Sequence, residues 1–392
     1  MRPAGAGDEA RPAQYLLLQA LPKIKAGKRA AQAPPSQPIT TPPRTATVSR
    51  FSEHIVAWQT VHGRHHLPWQ NTQDAYRVWL SEIMLQQTQV STVLGYYERF
   101  LQRCPTVADL AAASDEDVMA LWSGLGYYSR ARNLHRCAKE VMERFGGAFP
   151  HTVEELSSLP GIGRSTAGAI ASFCFAQRAA ILDANVKRVL TRVLGFGDDL
   201  ASSAAEKKLW LLAENLLPTT DLARNMPRYT QGMMDMGATI CTAKKPSCLL
   251  CPVHSDCVAH RQGQPERYPV KTKKLKRSAA SWWLLCWQRP DGAIWLEKRP
   301  APGIWAGLFC MPVLDSEDAL LAQSAQYGTT SAPEHGTAFL HVLTHKDLHL
   351  HPVRVPVPAD FVPAQAGQWV LPAQWPDVGL PAPVRSLLQR GF

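Results

Sequence analysis

From about Phe51 to His260, apolar residues recur at the separations that give a helix one apolar face. Trp79, Ile83, Val90, Leu94 and Tyr97 fall three, four and seven apart and predict an amphipathic helix across that stretch. Further helices are predicted near Asp115–Trp122, Arg132–Phe145, Val153–Leu159, Val186–Leu194, Ala205–Leu217 and Tyr229–Ala238. Beyond Ala280 the pattern changes to short apolar runs separated by Gly, Pro and Asp. Residues 281–288 (SWWLLCWQ), 293–299 (AIWLEKR), 336–345 (GTAFLHVLTH) and 347–357 (DLHLHPVRVPV) predict strands. The expected fold class is multidomain, an all-α unit followed by a smaller α/β unit.

A chain of 392 residues is too long for one ordinary core, which agrees with that division. Residues 1–46 are rich in Ala, Pro and Thr without sustained periodicity, and read as a disordered tail. The helical unit is placed at 47–262 and the α/β unit at 280–392. Between them, residues 263–279 include the cationic run RYPVKTKKLKRS, either a solvated tether or a strap on phosphates.

The formal net charge of +10 favours a polyanionic partner, although many soluble proteins are equally basic. No apolar run approaches the ~18 residues that span a bilayer, so no membrane association is expected. The Tyr15–Leu18 patch is too short for a signal-peptide core and follows Asp8 and Glu9, which argues against secretion. Nine cysteines make an odd count, with four crowded together, as in a reduced intracellular protein with a metal centre. The expected location is the cytoplasm, beside a polyanionic partner, or the nucleus or mitochondrion in a eukaryote, and the expected state is a monomer.

Two segments carry chemistry. LPGIGRSTAGAI, from Leu159, stops one helix at Leu-Pro and restarts another after Gly161 and Gly163, whose freedom at positive φ suits a tight hairpin. Backbone N–H groups at such a turn can hold a phosphate. ILDANVK follows, with Asp183 placed to cap the next helix. Either piece alone would be an ordinary hairpin or an ordinary cap; together in a basic chain they point to DNA. The second segment is Cys241, Cys248, Cys251 and Cys257, spaced C-x6-C-x2-C-x5-C. Four thiolates suit a [4Fe–4S] cluster or structural zinc, and the lack of two C-x2-C pairs separated by a longer hairpin favours iron–sulfur in a structural role. Cys104, Cys137, Cys174, Cys286 and Cys310 lie singly in apolar patterns and read as packing residues.

The hairpin, Asp183 and the cysteine spacing together resemble the helix-hairpin-helix DNA glycosylases that carry an iron–sulfur cluster. WLSEIMLQQTQV (Trp79–Val90) and GLGYYSRARNL (Gly124–Leu134) resemble the signatures of the MutY-type adenine glycosylases among them. Endonuclease III, the related pyrimidine enzyme, has a nucleophilic lysine in the hairpin where this chain has Ser165, which cannot form a Schiff base.

The resemblance implies double-stranded DNA with A:8-oxoguanine or A:G mispairs as partner, hydrolysis of the adenine N-glycosidic bond, and downstream base-excision repair proteins. It assigns adenine protonation and then water activation to Glu82. By its residues alone Glu82 would be a solvent-facing glutamate, although its apolar flanks would raise its pKa if they buried it. Asp183 would stabilise the oxocarbenium ion, through a transient covalent sugar adduct, with Asn185 as a supporting hydrogen-bond donor. Ala184 replaces the family's usual glycine and is tolerable if its φ is negative. Gln86, Gln87 and Tyr127 would intercalate and read the opposite strand, with Leu85 beside the pocket. Gln231 would contact adenine, and Lys187 would contact DNA rather than catalyse.

From Ala280 the chain resembles the family's Nudix-like domain, with RPAPGIWAGLFCMP (Arg299–Pro312) near its start. The glutamate-rich box for magnesium is absent, so 8-oxoguanine recognition is expected there instead of nucleotide hydrolysis. The family's Phe-Ser-His loop corresponds to Leu343, Thr344 and His345, which keeps a hydroxyl and an imidazole but loses the aromatic wedge. Two other readings stand beside this one: a pyrimidine glycosylase with lyase activity, and a non-catalytic DNA-scanning protein.

Overall fold

Two helical cores meet where the sequence places its two carboxylates. In the computed structural model the described residues are 45–272, 276–326 and 332–391, so the predicted tail lies outside them apart from its last two positions. These open the helix Thr45–His62. One core gathers the helices from Ala75–Leu85 to Arg164–Phe175 around Trp79, Phe100, Trp122, Leu134 and Ile170. The other gathers Thr45–His62, Ala184–Leu194, Ser203–Asn215 and Leu222–Thr239 around Ile55, Val189, Leu209 and Met236. Phe173, on the last helix of the first core, packs against both.

The apolar stripe from Trp79 to Tyr97 does not form one helix. It forms two, Ala75–Leu85 and Val90–Arg103, broken at Gln86–Gln89. Gln87 has φ of 56°, in the left-handed region that no helix interior accepts. Leu94 is 39% exposed and lies off the buried face of the second helix. Spacing alone cannot see such a break, because the two helices share a core. The predicted helix at Tyr229–Ala238 is longer than expected, running Leu222–Thr239.

The cationic segment after the helices is not a free tether along its first half. The Leu200 N–H donates to the Val270 carbonyl at 3.1 Å, and the Thr272 N–H to Asp199 Oδ1 at 3.2 Å. Residues 273–275 lie outside the described residues.

The C-terminal part is built on Ser278–Gln288 and Lys346–Pro356, paired in parallel from Ser278 opposite Lys346 to Gln288 opposite Pro356. Ile294–Lys298 and Phe339–Val342 flank them antiparallel. Leu284 and Cys286 face the helix Ala382–Arg390, while Leu285 and Trp287 face the Leu320 side of Glu317–Gln326. Both faces are covered, which explains the unbroken apolar run of the first strand. The run at 336–345 is strand only from Phe339 to Val342; Leu343–His345 turn, closed by the Leu343 N–H on the Lys346 carbonyl at 2.8 Å. This α/β part shares its core with the first helical core and bonds to it directly. The Ser123 hydroxyl donates to the Leu380 carbonyl at 2.6 Å, and Arg132 to that of Ala306 at 2.6 Å.

Candidate active site

Glu82 lies in the last turns of Ala75–Leu85 between Ser81 and Ile83, which are 1% and 3% exposed. Its own surface is not fully closed, yet the protein atoms around it desolvate the carboxyl and push its pKa up to about 7, with the charge of Asp183 adding to the rise. Asp183 caps the helix Ala184–Leu194, with Oδ1 accepting from the Val186 N–H at 2.7 Å. Burial raises the Asp183 pKa, and the Val186 hydrogen bond and the Arg188 charge counter it. Two carboxyls from separate cores thus share one desolvated junction, an arrangement that holds a proton on one while the other is ionised.

Ala184 begins its helix without positive φ, so the missing glycine costs no strain there. Asn185 sits against Gly237, where an added Cβ would come within 2.6 Å of the Asn185 Cβ. Its Oδ1 accepts from Arg188 at 2.8 Å, and the same arginine reaches the Cys241 carbonyl at 2.7 Å. Lys187 pairs with Glu206.

The hairpin forms as expected but for one detail. Gly161 has φ of 77°, whereas Gly163 has φ of −84° and caps the helix Arg164–Phe175 with extended backbone that any residue adopts. Nothing lies within 4 Å of a Cβ added at Gly163, so the face it presents is open. Ser165 is turned inward, and its hydroxyl accepts from the Leu182 N–H at 3.0 Å, bracing the segment that delivers Asp183.

The structure brings Tyr127 and Thr344, 217 residues apart in sequence, to 2.6 Å hydroxyl to hydroxyl. Tyr127 is 43% exposed with φ of 48°, so its ring stands at the tip of a strained turn. Leu85 packs against the first core, and Gln87 is exposed. Leu343 also turns onto the core and does not project as a wedge, while His345 is exposed. His341 and His351 pack on Trp305 and Trp283.

Arg130 escapes the sequence reading. It lies on the buried stripe of Ser129–Phe145 and is 8% exposed. Its guanidinium donates to the carbonyls of Ile83, Met84 and Gln86 at 2.7–3.0 Å, to Thr88 Oγ1 at 3.2 Å, and to Leu125 and Gly126 at 3.3 and 3.1 Å. One side chain therefore fastens the Gln87 turn to the Tyr127 turn. A charge on an apolar stripe is the signal that could have found it.

Cys241, Cys248, Cys251 and Cys257 line one cavity with Val189, Arg192 and Met236. Burial pushes the Cys251 thiol up to about 12, and the other three cysteines add to the rise. A cationic centre would draw the buried Cys251 thiol to its thiolate. The Arg192 guanidinium, 3.3 Å from Cys241 Sγ, supplies compensating positive charge. Among the described residues no three His, Cys, Asp or Glu side chains converge on a single ion, whereas four thiols spread around one cavity are the donor set of a cluster in which each iron takes one cysteine.

The family described as "HhH-GPD superfamily base excision DNA repair protein" matches residues 80–215, and a NUDIX domain matches residues 282–390. The chain is 37% identical over 344 residues to an adenine DNA glycosylase of Buchnera aphidicola subsp. Acyrthosiphon pisum, covering 86% of this chain and 97% of that protein. The chain belongs to the adenine DNA glycosylase family. The Rattus norvegicus adenine DNA glycosylase is 47% identical over 226 residues, 55% of this glycosylase and 43% of its own length. A solved thermostable thymine-DNA glycosylase is similar at 28% identity with a TM-score of 0.49, over 56% of this chain and 99% of its own. Membership agrees with the fold: a helical glycosylase unit followed by a Nudix-like α/β unit.

Proposed function

We propose that this glycosylase hydrolyses the bond between adenine and deoxyribose where adenine is mispaired with 8-oxoguanine or guanine, leaving an abasic site. The observation that carries this reading is the pair of carboxyls, with Glu82 raised to about 7 beside Asp183. Glu82, protonated near neutral pH, donates its proton to a ring nitrogen of adenine, so the base departs neutral with the electrons of the glycosidic bond. The Asp183 carboxylate faces the cationic sugar and stabilises it, through a transient sugar ester that water then opens. Glu82, now ionised, takes the proton of that water. Asn185 supports Asp183 from the next turn of backbone. Gln231 contacts the extruded adenine, whose removal from the stack costs a few kcal/mol. Gly161, Gly163 and the start of Arg164–Phe175 hold a phosphate, Gln86, Gln87 and Tyr127 enter the duplex, and Thr344 with His345 reads 8-oxoguanine.

Cys241, Cys248, Cys251 and Cys257 would hold a [4Fe–4S] cluster, whose part is to fasten the loop to the helix that Asp183 caps. The purified protein is then brown, with broad visible absorbance and about four irons per chain. Colourless protein with one zinc per chain would refute the assignment.

Ser165 carries no amine and its oxygen is engaged with the Leu182 N–H, while Lys187 is paired with Glu206. The absence of a lysine from the hairpin sequence supports hydrolysis without a Schiff base. Single-turnover reactions with adenine opposite 8-oxoguanine, guanine or cytosine, and with oxidised pyrimidines, test the whole reading. Adenine should be released opposite 8-oxoguanine and guanine, with strand breaks only after alkali or heat. Pyrimidine release, or borohydride trapping at the rate of excision, would overturn it.

A further inference from the structure

The side chain of Asp235 is fully closed to solvent, yet it takes no part in the chemistry described above. Its Oδ1 accepts from Arg64 Nε at 2.7 Å and from Gln231 Nε2 at 2.8 Å, and its Oδ2 accepts from the Arg64 backbone N–H at 2.9 Å. Gln231 and Asp235 are one turn apart on Leu222–Thr239. That helix borders the junction, with Gly237 against Asn185 and Thr230 bonded to Ser172 at 2.8 Å between hydroxyls.

A carboxylate paired with an arginine can only accept hydrogen bonds. The Gln231 amide group must therefore turn its NH2 toward Asp235 and its carbonyl oxygen away. The Arg64 side chain, 26% exposed, and the Arg64 backbone together fix the carboxylate from two directions, so neither the carboxylate nor the amide is free to flip.

We infer that Arg64 and Asp235 are positioning residues that lock Gln231 with its carbonyl toward the extruded base, making the site select a purine carrying an amino group. Adenine offers an N–H there; hypoxanthine offers a carbonyl, which would face the Gln231 carbonyl oxygen to oxygen. A site built to pair a donor rejects an analogue that cannot supply one far more strongly than a merely shaped pocket does. This inference rests on the proposed excision of adenine.

The test is the ratio of single-turnover rates for adenine and hypoxanthine, each opposite 8-oxoguanine, in wild type, Asp235→Asn and Arg64→Gln. Asparagine can donate to the Gln231 carbonyl, so the amide can turn over. The adenine-to-hypoxanthine ratio should fall roughly tenfold or more in Asp235→Asn. It should fall in the same direction, by less, in Arg64→Gln, which keeps the buried carboxylate and serves if Asp235→Asn does not fold by circular dichroism. A purely structural role would lower both rates together, and an unchanged ratio in the folded variants overturns the inference. Failure of the wild-type protein to release adenine from any duplex would sink the proposed function instead, a separate outcome.

Discussion

Glu82→Gln is expected to bind an A:8-oxoguanine duplex as wild type does while excising adenine roughly a thousandfold more slowly. The amide keeps the size and the burial but has no acidic proton to give, so the base must leave as an anion. The same burial predicts the pH dependence. With a pKa near 7, the fraction of Glu82 carrying its proton, and with it the single-turnover rate, rises as pH falls through 7. Stability follows the same titration with a defined sign. The folded-state pKa lies above the usual 4.5, so the group's contribution is complete below 4.5 and is lost as pH climbs to about 7. Above pH 7 the buried carboxylate costs up to about 3 kcal/mol, which glutamine does not incur. The inactive variant should therefore be more resistant to urea than wild type at pH 8, with the difference vanishing near pH 4. Excision within severalfold of wild type would remove Glu82 from the proton-donor role.

The Glu82 environment was partly legible in the chain. Trp79, Leu80, Ile83 and Met84 surround it in sequence and all are buried, so the apolar flanks did announce desolvation. The partner charge was not legible, since Asp183 reaches the junction from a different core about a hundred residues later. Asp183 itself declared its position through short-range rules, as a capping residue before an apolar period. The short apolar runs of the C-terminal strands were equally local, and the helices on both faces of Ser278–Gln288 are what require its run to be unbroken.

What local rules missed are the places where backbone geometry is imposed from afar. The break at Gln86–Gln89 sits inside a stripe with uninterrupted helical spacing, and no Pro or Gly marks it. Gln87 and Tyr127 hold positive φ without being glycine, a cost that a distant group must offset. The contact of Tyr127 with Thr344, and the inward turn of Leu343, likewise depend on how the Nudix-like unit packs on the helices.

Arg130 is the group that holds the two strained turns, and its loss should be severe. Its guanidinium caps the last carbonyls of the helix bearing Glu82, where no backbone partner exists, and reaches across to Leu125 and Gly126. Two effects oppose each other in Arg130→Ala. Removing a buried cation relieves desolvation, which already lowers the arginine's pKa to about 10. Against this stand five backbone carbonyls that lose this donor, of which Gly126 keeps Trp122 Nε1 and Gln86 keeps the Thr88 hydroxyl, and a void the size of the side chain. Hydrogen bonds from a charged donor contribute roughly 1.5–3 kcal/mol each, so the losses dominate even after water enters. A net destabilisation of about 3 kcal/mol is expected in urea titrations. Lysine should not rescue it, because an ammonium has three donors on a point and cannot span both turns as the five-donor fork does. The functional readout separates a clamp from ordinary packing. With Gln87 and Tyr127 released from their turns, excision opposite 8-oxoguanine should fall toward that opposite cytosine, while the affinity for undamaged duplex stays near wild type. An Arg130→Lys protein with wild-type stability and undiminished preference for 8-oxoguanine would show that the two turns hold their shape without the clamp.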